Sequence, residues 1–133
     1  MVEEKKRIII VEDEPDTIEM FAEMMRLSGY SVLKSYGGPP AVKLISEEKP
    51  DVVVLDIMMP EFSGMDVLDH MQNDPDLRGI PVIIVSAKSL PKDIQAGLDA
   101  GAVAYLTKPV TFQQLNEAVQ TTLDEKLGLD NQA

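Results

Sequence analysis

The stretch Ile8-Ile9-Ile10-Val11-Glu12-Asp13-Glu14-Pro15 sets the pattern for the whole chain. Its first four residues are apolar and β-branched, as expected of a strand that is buried on both faces of a parallel sheet. An acidic run follows at once. Pro15 then stands where a helix can begin, because the first helical position needs no N–H donor. The order of strand, acidic turn and helix predicts the start of an α/β repeat.

Four further runs predict the remaining strands: Ser31–Ser35, Val52–Leu55, Val82–Val85 and Val103–Leu106. A helix-like stretch follows each of them, with apolar residues at three- and four-residue spacing that indicate one buried face. Five strand–helix units predict an α/β sandwich of three layers, in which helices cover both faces of a five-stranded parallel sheet.

The last two helices carry specific expectations. Pro91 is expected to open the fourth helix, with Ile94 and Leu98 facing inward. Thr111 is expected to cap the fifth helix, because a threonine side chain can accept from the first free N–H groups. Gly128 is expected to end that helix, with a frayed tail beyond it.

Length and composition narrow the class of protein. The chain has 133 residues, which suits one domain, and 44% of them are hydrophobic, enough for a core. It has no cysteine, which excludes disulfides, thiolate catalysis and Cys-based zinc sites. The net charge of −11 argues against non-specific binding to nucleic acid. The polar start is unlike a signal peptide and no apolar run is membrane-spanning in length, so a cytoplasmic location is expected.

Polar side chains follow the strands at one edge of the predicted sheet. Glu12 and Asp13 follow the first strand, Asp56 the third and Ser86 the fourth, and Lys108 comes shortly after the fifth. The carboxyl ends of parallel strands meet at one edge, where ligands bind in such folds. Three carboxylates would repel one another, so this edge calls for a hard metal ion. The hydroxyl and the amine suit an anionic group.

Four motifs carry a family resemblance: Ile-Val-Glu-Asp-Glu at 10–14, Leu-Asp-Ile-Met-Met-Pro at 55–60, Val-Ser-Ala at 85–87 and Tyr-Leu-Thr-Lys-Pro at 105–109. With them the chain resembles the CheY-like receiver domain of response regulators, the phosphoacceptor module of two-component signal transduction. The resemblance implies a flavodoxin-like (βα)5 fold with strand order 2-1-3-4-5. It also implies a receiver domain at 6–126, followed by a flexible tail at 127–133.

The resemblance implies a phosphoacceptor and a cofactor. Asp56 corresponds to the aspartate that attacks phosphorus and becomes an acyl phosphate. Mg²⁺ would be bound by Glu12, Asp13, Asp56 and the backbone carbonyl of Met58, since this ion favours one or two carboxylates together with other oxygen ligands. Taken singly, a strand-end aspartate is more often a turn former, and acids near a helix start more often pair with its dipole.

The remaining site residues are also assigned by resemblance. Lys108 would contact one phosphoryl oxygen and Ser86 would donate to another, with a cis peptide bond between Lys108 and Pro109. On phosphorylation Ser86 would move toward the phosphoryl group and Tyr105 would rotate into the vacated space. Met58 and Lys88 flank the site, at positions that modulate dephosphorylation in this family. A bulky Met58 is expected to hinder the attacking water and prolong the phosphorylated state.

The implied function is a phosphorylation-dependent signalling switch. A sensor histidine kinase or a phosphotransfer protein would donate the phosphoryl group. The face of helix 4, strand 5 and helix 5 would then change its affinity for a downstream protein or for an output domain outside this chain. The domain would catalyse only its own phosphorylation and slow autodephosphorylation, and would contact neither nucleic acid nor membrane. Val103, Ala104 and Gln113 lack the charges that form the salt-bridged dimer of winged-helix regulators.

Three other classes compete with this interpretation. A phosphatase of the haloacid-dehalogenase type needs a second aspartate two residues after the first, where this chain has Met58. A flavin- or nucleotide-binding flavodoxin needs a glycine- or hydroxyl-rich loop after the first strand, and residues 12–15 are instead acidic. The third alternative is a receiver fold that serves as an unphosphorylated scaffold, which the complete set of site residues disfavours.

Overall fold

A computed structural model describes residues 5–59 and 61–131 of the chain. Pro60, the last residue of one motif, lies outside the described residues. Within them five strands alternate with five helices: β1 Arg7–Val11, α1 Pro15–Leu27, β2 Ser31–Ser35, α2 Gly38–Glu48, β3 Val52–Leu55, α3 Gly64–Gln72, β4 Val82–Ser86, α4 Pro91–Asp99, β5 Ala104–Thr107 and α5 Phe112–Asn131.

The strands form one parallel sheet in the order β2-β1-β3-β4-β5, which confirms the predicted fold class and the order implied by resemblance. Each predicted strand is present to within one residue at either end. Within the described residues, no helix combines the length and the apolarity that crossing a membrane requires.

The core is divided by the sheet into two layers, because successive strand residues point to opposite faces. Ile9, Val53 and Ile84 belong to the layer beneath α2 and α3. Their sequence neighbours Ile8, Val52 and Ile83 pack with α1 and α5 on the other face. Strands β3 and β4 are buried at every position, as the uninterrupted apolar runs predict.

Two expectations about the helices are wrong. Leu98 is 39% exposed and Ile94 is only half-buried, so neither anchors α4, whose one buried residue is Gly97. The spacing indicated a helix, but it could not show that an aromatic ring from β5 occupies the inner face of α4.

Gly128 does not end α5, which continues to Asn131. A glycine costs a helix only about 1 kcal/mol, which the turns around it can absorb. The mobility of 127–133 stays a prediction.

The predicted start of α5 is confirmed. The Gln114 backbone N–H donates to Thr111 Oγ1 at 3.1 Å, and the Thr111 backbone N–H donates to Gln114 Oε1 at 2.9 Å. This reciprocal pair satisfies two N–H groups that a helix start otherwise leaves free. It caps α5 at Thr111, three residues after Lys108, and so defines where the segment that carries the lysine ends.

Candidate functional site

Three carboxylates meet at the carboxyl edge of the sheet. Strands β1 and β3 pair in parallel with Val11 opposite Leu55, so the residues that follow each strand come side by side. Carboxylate oxygens of Glu12, Asp13 and Asp56 lie within 4.8 Å of one another. We call these three residues the acidic cluster. Glu12 is 1% exposed and Asp56 is 5% exposed, whereas Asp13 faces solvent.

Lys108 reaches into the acidic cluster from the segment after β5. Its Nζ lies 2.7 Å from Glu12 Oε1 and 3.1 Å from Asp56 Oδ2. The backbone places it there, because the Lys108 N–H donates to the carbonyl of Ser86 at 2.8 Å. The peptide bond between Lys108 and Pro109 is cis, as the resemblance implied. One ammonium group thus neutralises part of the charge of two buried acids.

Backbone N–H groups hold the second oxygen of each buried carboxylate. Glu12 Oε2 accepts from the N–H of Asp13 at 2.9 Å, and Asp56 Oδ1 accepts from the N–H of Met58 at 2.9 Å. Gly64 supports this turn, because a Cβ at that position would lie 2.3 Å from the carbonyl oxygen of Asp56. Hydrogen bonds from the backbone of nearby residues therefore orient both carboxylates, and the close packing of Gly64 supports the turn that carries Asp56.

Two groups of the site, the Glu12 carboxyl and the Lys108 amine, have a shifted pKa. Burial raises the pKa of the Glu12 carboxyl from 4.5 to about 7, although the hydrogen bond from Lys108 works in the opposite direction. Burial lowers the pKa of the Lys108 amine, but hydrogen bonds to Glu12 and Asp56 outweigh it and the net change is upward. Lys108 is therefore a permanent cation at neutral pH, while Glu12 exchanges its proton near neutrality.

A hydrogen-bonded path leads away from the acidic cluster along β4 and β5. Ser86 ends β4 with its side chain fully buried, and its Oγ accepts from the N–H of Lys88 at 3.1 Å. The carbonyl of Lys88 accepts from Tyr105 Oη at 2.8 Å. Tyr105 therefore connects to the site through the Lys88 peptide groups, whereas the Lys88 side chain is exposed.

The structure brings together most of the residues that the sequence singled out. Glu12, Asp13, Asp56 and Lys108 form one connected group, and Ser86 is adjacent to it through the backbone of Lys108. Glu14 stands apart, as expected from its place near a helix start: its side chain accepts from the N–H groups of Asp16 and Thr17 and caps α1. The assignment of the Met58 carbonyl as a ligand stays a prediction.

Sequence reasoning assigned Gly97 no role beyond its place in the stretch 96–102, which resembles the family's run before the fifth strand. A glycine inside a helix, away from any turn, was the signal that could have drawn attention to it. It also missed that Lys108 is shared between Glu12 and Asp56, because a sequence cannot show how far a lysine side chain reaches.

The acidic cluster has the donor chemistry of a divalent cation site. Carboxylate oxygens are hard ligands, and two of the three residues that supply them are buried. Lys108 supplies one positive charge against three carboxylates, which leaves excess negative charge for an ion to balance. The cluster can therefore bind a metal.

Comparisons with known proteins agree with this geometry. The family model of the response regulator receiver domain matches residues 8–120. Over 120 residues the chain is 32% identical to the polar-differentiation response regulator DivK of Brucella anthropi, covering 90% of this chain and 98% of that protein. It is 37% identical over 123 residues to a probable cyclic di-GMP phosphodiesterase of Vibrio cholerae, covering 92% of this chain and 28% of that protein.

Solved structures show the same similarity. The receiver domain of a signal transduction histidine kinase from Syntrophus aciditrophicus superposes with a TM-score of 0.83 at 33% identity, covering 90% of this chain and 91% of that one. A CheY-like receiver domain protein from Methanospirillum hungatei gives a TM-score of 0.87 at 26% identity, covering 94% and 98%. The chain belongs to the response regulator receiver domain family, and it is a phosphorylation-dependent signalling switch of two-component systems.

Proposed function

We propose that Asp56 is the phosphoacceptor and that a sensor histidine kinase or a phosphotransfer protein is the donor. The observation that carries this proposal is that Lys108 and the other two residues of the acidic cluster lie around the buried Asp56. One oxygen of Asp56 is held by the N–H of Met58, and the other lies beside Lys108. The second oxygen is the one positioned to attack phosphorus.

The proposed cofactor is Mg²⁺. Glu12, Asp13, Asp56 and the carbonyl of Met58 hold it, and their hard oxygen atoms match its preference. When bound, the ion neutralises charge on the acids and on the incoming phosphoryl group. Three carboxylates face the single ammonium group of Lys108, and the remaining negative charge favours a divalent cation rather than a second amine.

In the proposed transfer, an oxygen of Asp56 forms a bond to phosphorus while the P–N bond of phosphohistidine breaks. The electron pair of that bond stays on the imidazole, which takes up a proton from solvent. Lys108 and Ser86 donate to separate oxygens of the resulting acyl phosphate, which stabilises its charge. Water later hydrolyses it. The chain catalyses only these two reactions on itself, and the phosphodiesterase activity in the name of one relative belongs to that protein.

The proposed output is a change in partner binding on the α4–β5–α5 face. The path from Ser86 through the Lys88 peptide groups to Tyr105 supports this, because it ends on that face. Contacts that only the phosphoryl group makes shift the population between two arrangements. The partner is a downstream protein or an output domain outside this chain, in the cytoplasm, without direct contact to nucleic acid or membrane. Residues 6–126 form the receiver domain and 127–133 its tail.

Met58 and Lys88 are the proposed modulators of dephosphorylation. The Met58 side chain is 50% exposed immediately beside Asp56, where it can obstruct an approaching water. Lys88 is also exposed, two residues after Ser86.

Incubation with acetyl phosphate and Mg²⁺, followed by intact-mass spectrometry, tests the proposal. The protein is expected to gain one phosphoryl group, and Asp56→Asn is expected to gain none. Asp99→Asn is the matched control, because it removes an exposed carboxylate of α4 and leaves the acidic cluster intact. The gain is expected to disappear in EDTA and to weaken in Asp13→Asn. Equal incorporation by the parent and Asp56→Asn would refute the assignment.

A further inference from the structure

Helix α4 rests on the domain through a glycine. Within α4, all of whose residues the structure describes, only Gly97 is buried, and the helix packs mainly against β5. The larger apolar residues of α4 are not buried against the domain, since Ile94 is half-buried and Leu98 is exposed. Helices usually attach to a domain through a stripe of apolar side chains. The attachment of α4 therefore depends on what lies against Gly97.

The ring of Tyr105 fills the space that a side chain at position 97 would need. A Cβ on Gly97 would lie 2.8 Å from Cδ2 and 3.1 Å from Cε2 of Tyr105, and 2.8 Å from Cδ1 of Ile84. Carbon atoms in favourable contact are about 3.5–4.0 Å apart. The aromatic ring thus lies directly against the backbone of α4, an approach that every residue except glycine prevents.

The same ring is connected to the acceptor site by its hydroxyl group. Tyr105 Oη donates to the carbonyl of Lys88, and the N–H of Lys88 donates to Ser86 Oγ. One residue therefore touches both the loop beside the site and the backbone of α4. Glycine is less favourable than alanine within a helix, so α4 is weakened at the position where the ring needs room.

We propose that Gly97 is a positioning residue of the switch, which admits the Tyr105 ring beneath α4 and so couples α4 to Ser86. The coupling to phosphorylation rests on the proposed function, whereas the position of the ring does not. When Ser86 turns toward a phosphoryl oxygen, the N–H of Lys88 loses its acceptor and the Lys88 backbone that holds Tyr105 moves. The ring then changes its position against Gly97, and the packing of α4 changes with it. A side chain at position 97 excludes the ring without any phosphoryl group.

Gly97→Ala tests the placement of the ring in protein without a phosphodonor. Labelling with 3-fluorotyrosine gives one ¹⁹F signal each for Tyr30, Tyr36 and Tyr105. The Tyr105 signal is expected to shift in Gly97→Ala while the other two stay unchanged. Gly79→Ala is the matched control, because nothing lies within 4 Å of a Cβ there, and it is expected to shift none of the three. An unmoved Tyr105 signal in Gly97→Ala would overturn the proposal.

Thermal stability gives a second, independent measurement. At an open helical position glycine to alanine raises Tm, by about 2–5 °C in a domain of this size. Gly97→Ala is expected to lower Tm instead. The same substitution in a Tyr105→Ala background is expected to raise Tm, because the ring is gone and Ile84 Cδ1 is a side-chain end that can yield. A rise of equal size in both backgrounds would overturn the proposal.

Beryllofluoride with Mg²⁺, an analogue of the phosphoryl group, tests the coupling. The Tyr105 signal of the parent protein is expected to shift on addition, and that of Gly97→Ala is expected to begin displaced and to shift no further. A full response in Gly97→Ala would overturn the coupling. A parent protein that neither responds nor takes up phosphoryl from acetyl phosphate would refute the proposed function, while the spectra without ligand would still decide the placement of the ring.

Discussion

The acidic cluster and the α4–β5 face are joined by one hydrogen-bonded path, but their packing differs. The cluster follows β1 and β3, whose apolar residues are buried, and backbone N–H groups hold its two buried carboxylates. Helix α4 has one buried residue, and Val103 beside it is exposed. The chemical end of the path is rigid and the output end is lightly attached.

The two functions need different packing. Phosphoryl transfer needs reacting groups fixed in position before the reaction, so a tightly packed sheet edge suits it. A switch needs an element with two arrangements that differ by only a few kcal/mol. We expect the contacts of one phosphoryl group to leave β1 and β3 unchanged and to shift α4, which has one buried residue. According to the proposed function, the site keeps its geometry while the α4–β5 face responds.

Truncation of one leucine in each region gives the largest expected contrast. Leu55, the last residue of β3, is fully buried beside Asp56, whereas Leu98 in α4 is exposed. Leu55→Ala is expected to reduce the free energy of unfolding by about 2–5 kcal/mol, because it leaves a cavity. Leu98→Ala is expected to change it by less than about 0.5 kcal/mol. Urea denaturation measures both, and equal losses would show that α4 is as firmly packed as the sheet.

The second contrast is in pH dependence. The pKa of Glu12 is about 7 in the folded protein and 4.5 otherwise, so the folded state binds the extra proton between these values. Its contribution to stability is present below about pH 4.5 and is lost as the pH rises through 7. In EDTA the free energy of unfolding is expected to fall by roughly 1–3 kcal/mol between about pH 5 and 8. Glu12→Gln is expected to flatten the curve; an unchanged slope would contradict the assignment.

A smaller effect is expected at the rim of the site. Met58→Asn and Met58→Glu are expected to hydrolyse the acyl phosphate faster, by up to about tenfold, because a polar side chain admits or orients water. Intact-mass measurement of the phosphorylated fraction over time gives the rate. Met20→Asn is the matched control, since Met20 is 46% exposed but lies on α1. Equal decay in the parent and both Met58 variants would refute the role of this side chain.

The smallest expected change is a gain of stability in α4. Leu90 occupies the N-cap position with extended backbone angles, but its side chain accepts no hydrogen bond, whereas Thr111 caps α5. Leu90→Ser is expected to stabilise α4 by about 0.5–1 kcal/mol, because serine can accept from a free N–H. Hydrogen exchange is expected to slow in α4 and to stay unchanged in β1. Slowing throughout the protein would mean that α4 does not open independently.

The sequence predictions were right for the tightly packed sheet and its acidic cluster, and wrong for the inward face of α4. Strand positions were predicted to within one residue, because β1, β3 and β4 are buried on both faces and show it as continuous apolar runs. The residues of the acidic cluster were predicted to meet for a similar reason, since parallel strands of one sheet share an edge. The inward face of α4 was predicted wrongly, because it depends on the ring of Tyr105, which is eight residues away along the chain.

Periodicity and the polar residues after four of the strands were sufficient to predict the α/β fold and the members of the acidic cluster, and the resemblance of four motifs indicated the family. These features are local, because they depend on which residues follow which along one strand or helix. Tertiary packing was needed to show that Lys108 is shared by Glu12 and Asp56, and that Gly97 receives an aromatic ring. Both depend on distances between segments far apart in the chain, which are set only when the helices pack onto the sheet.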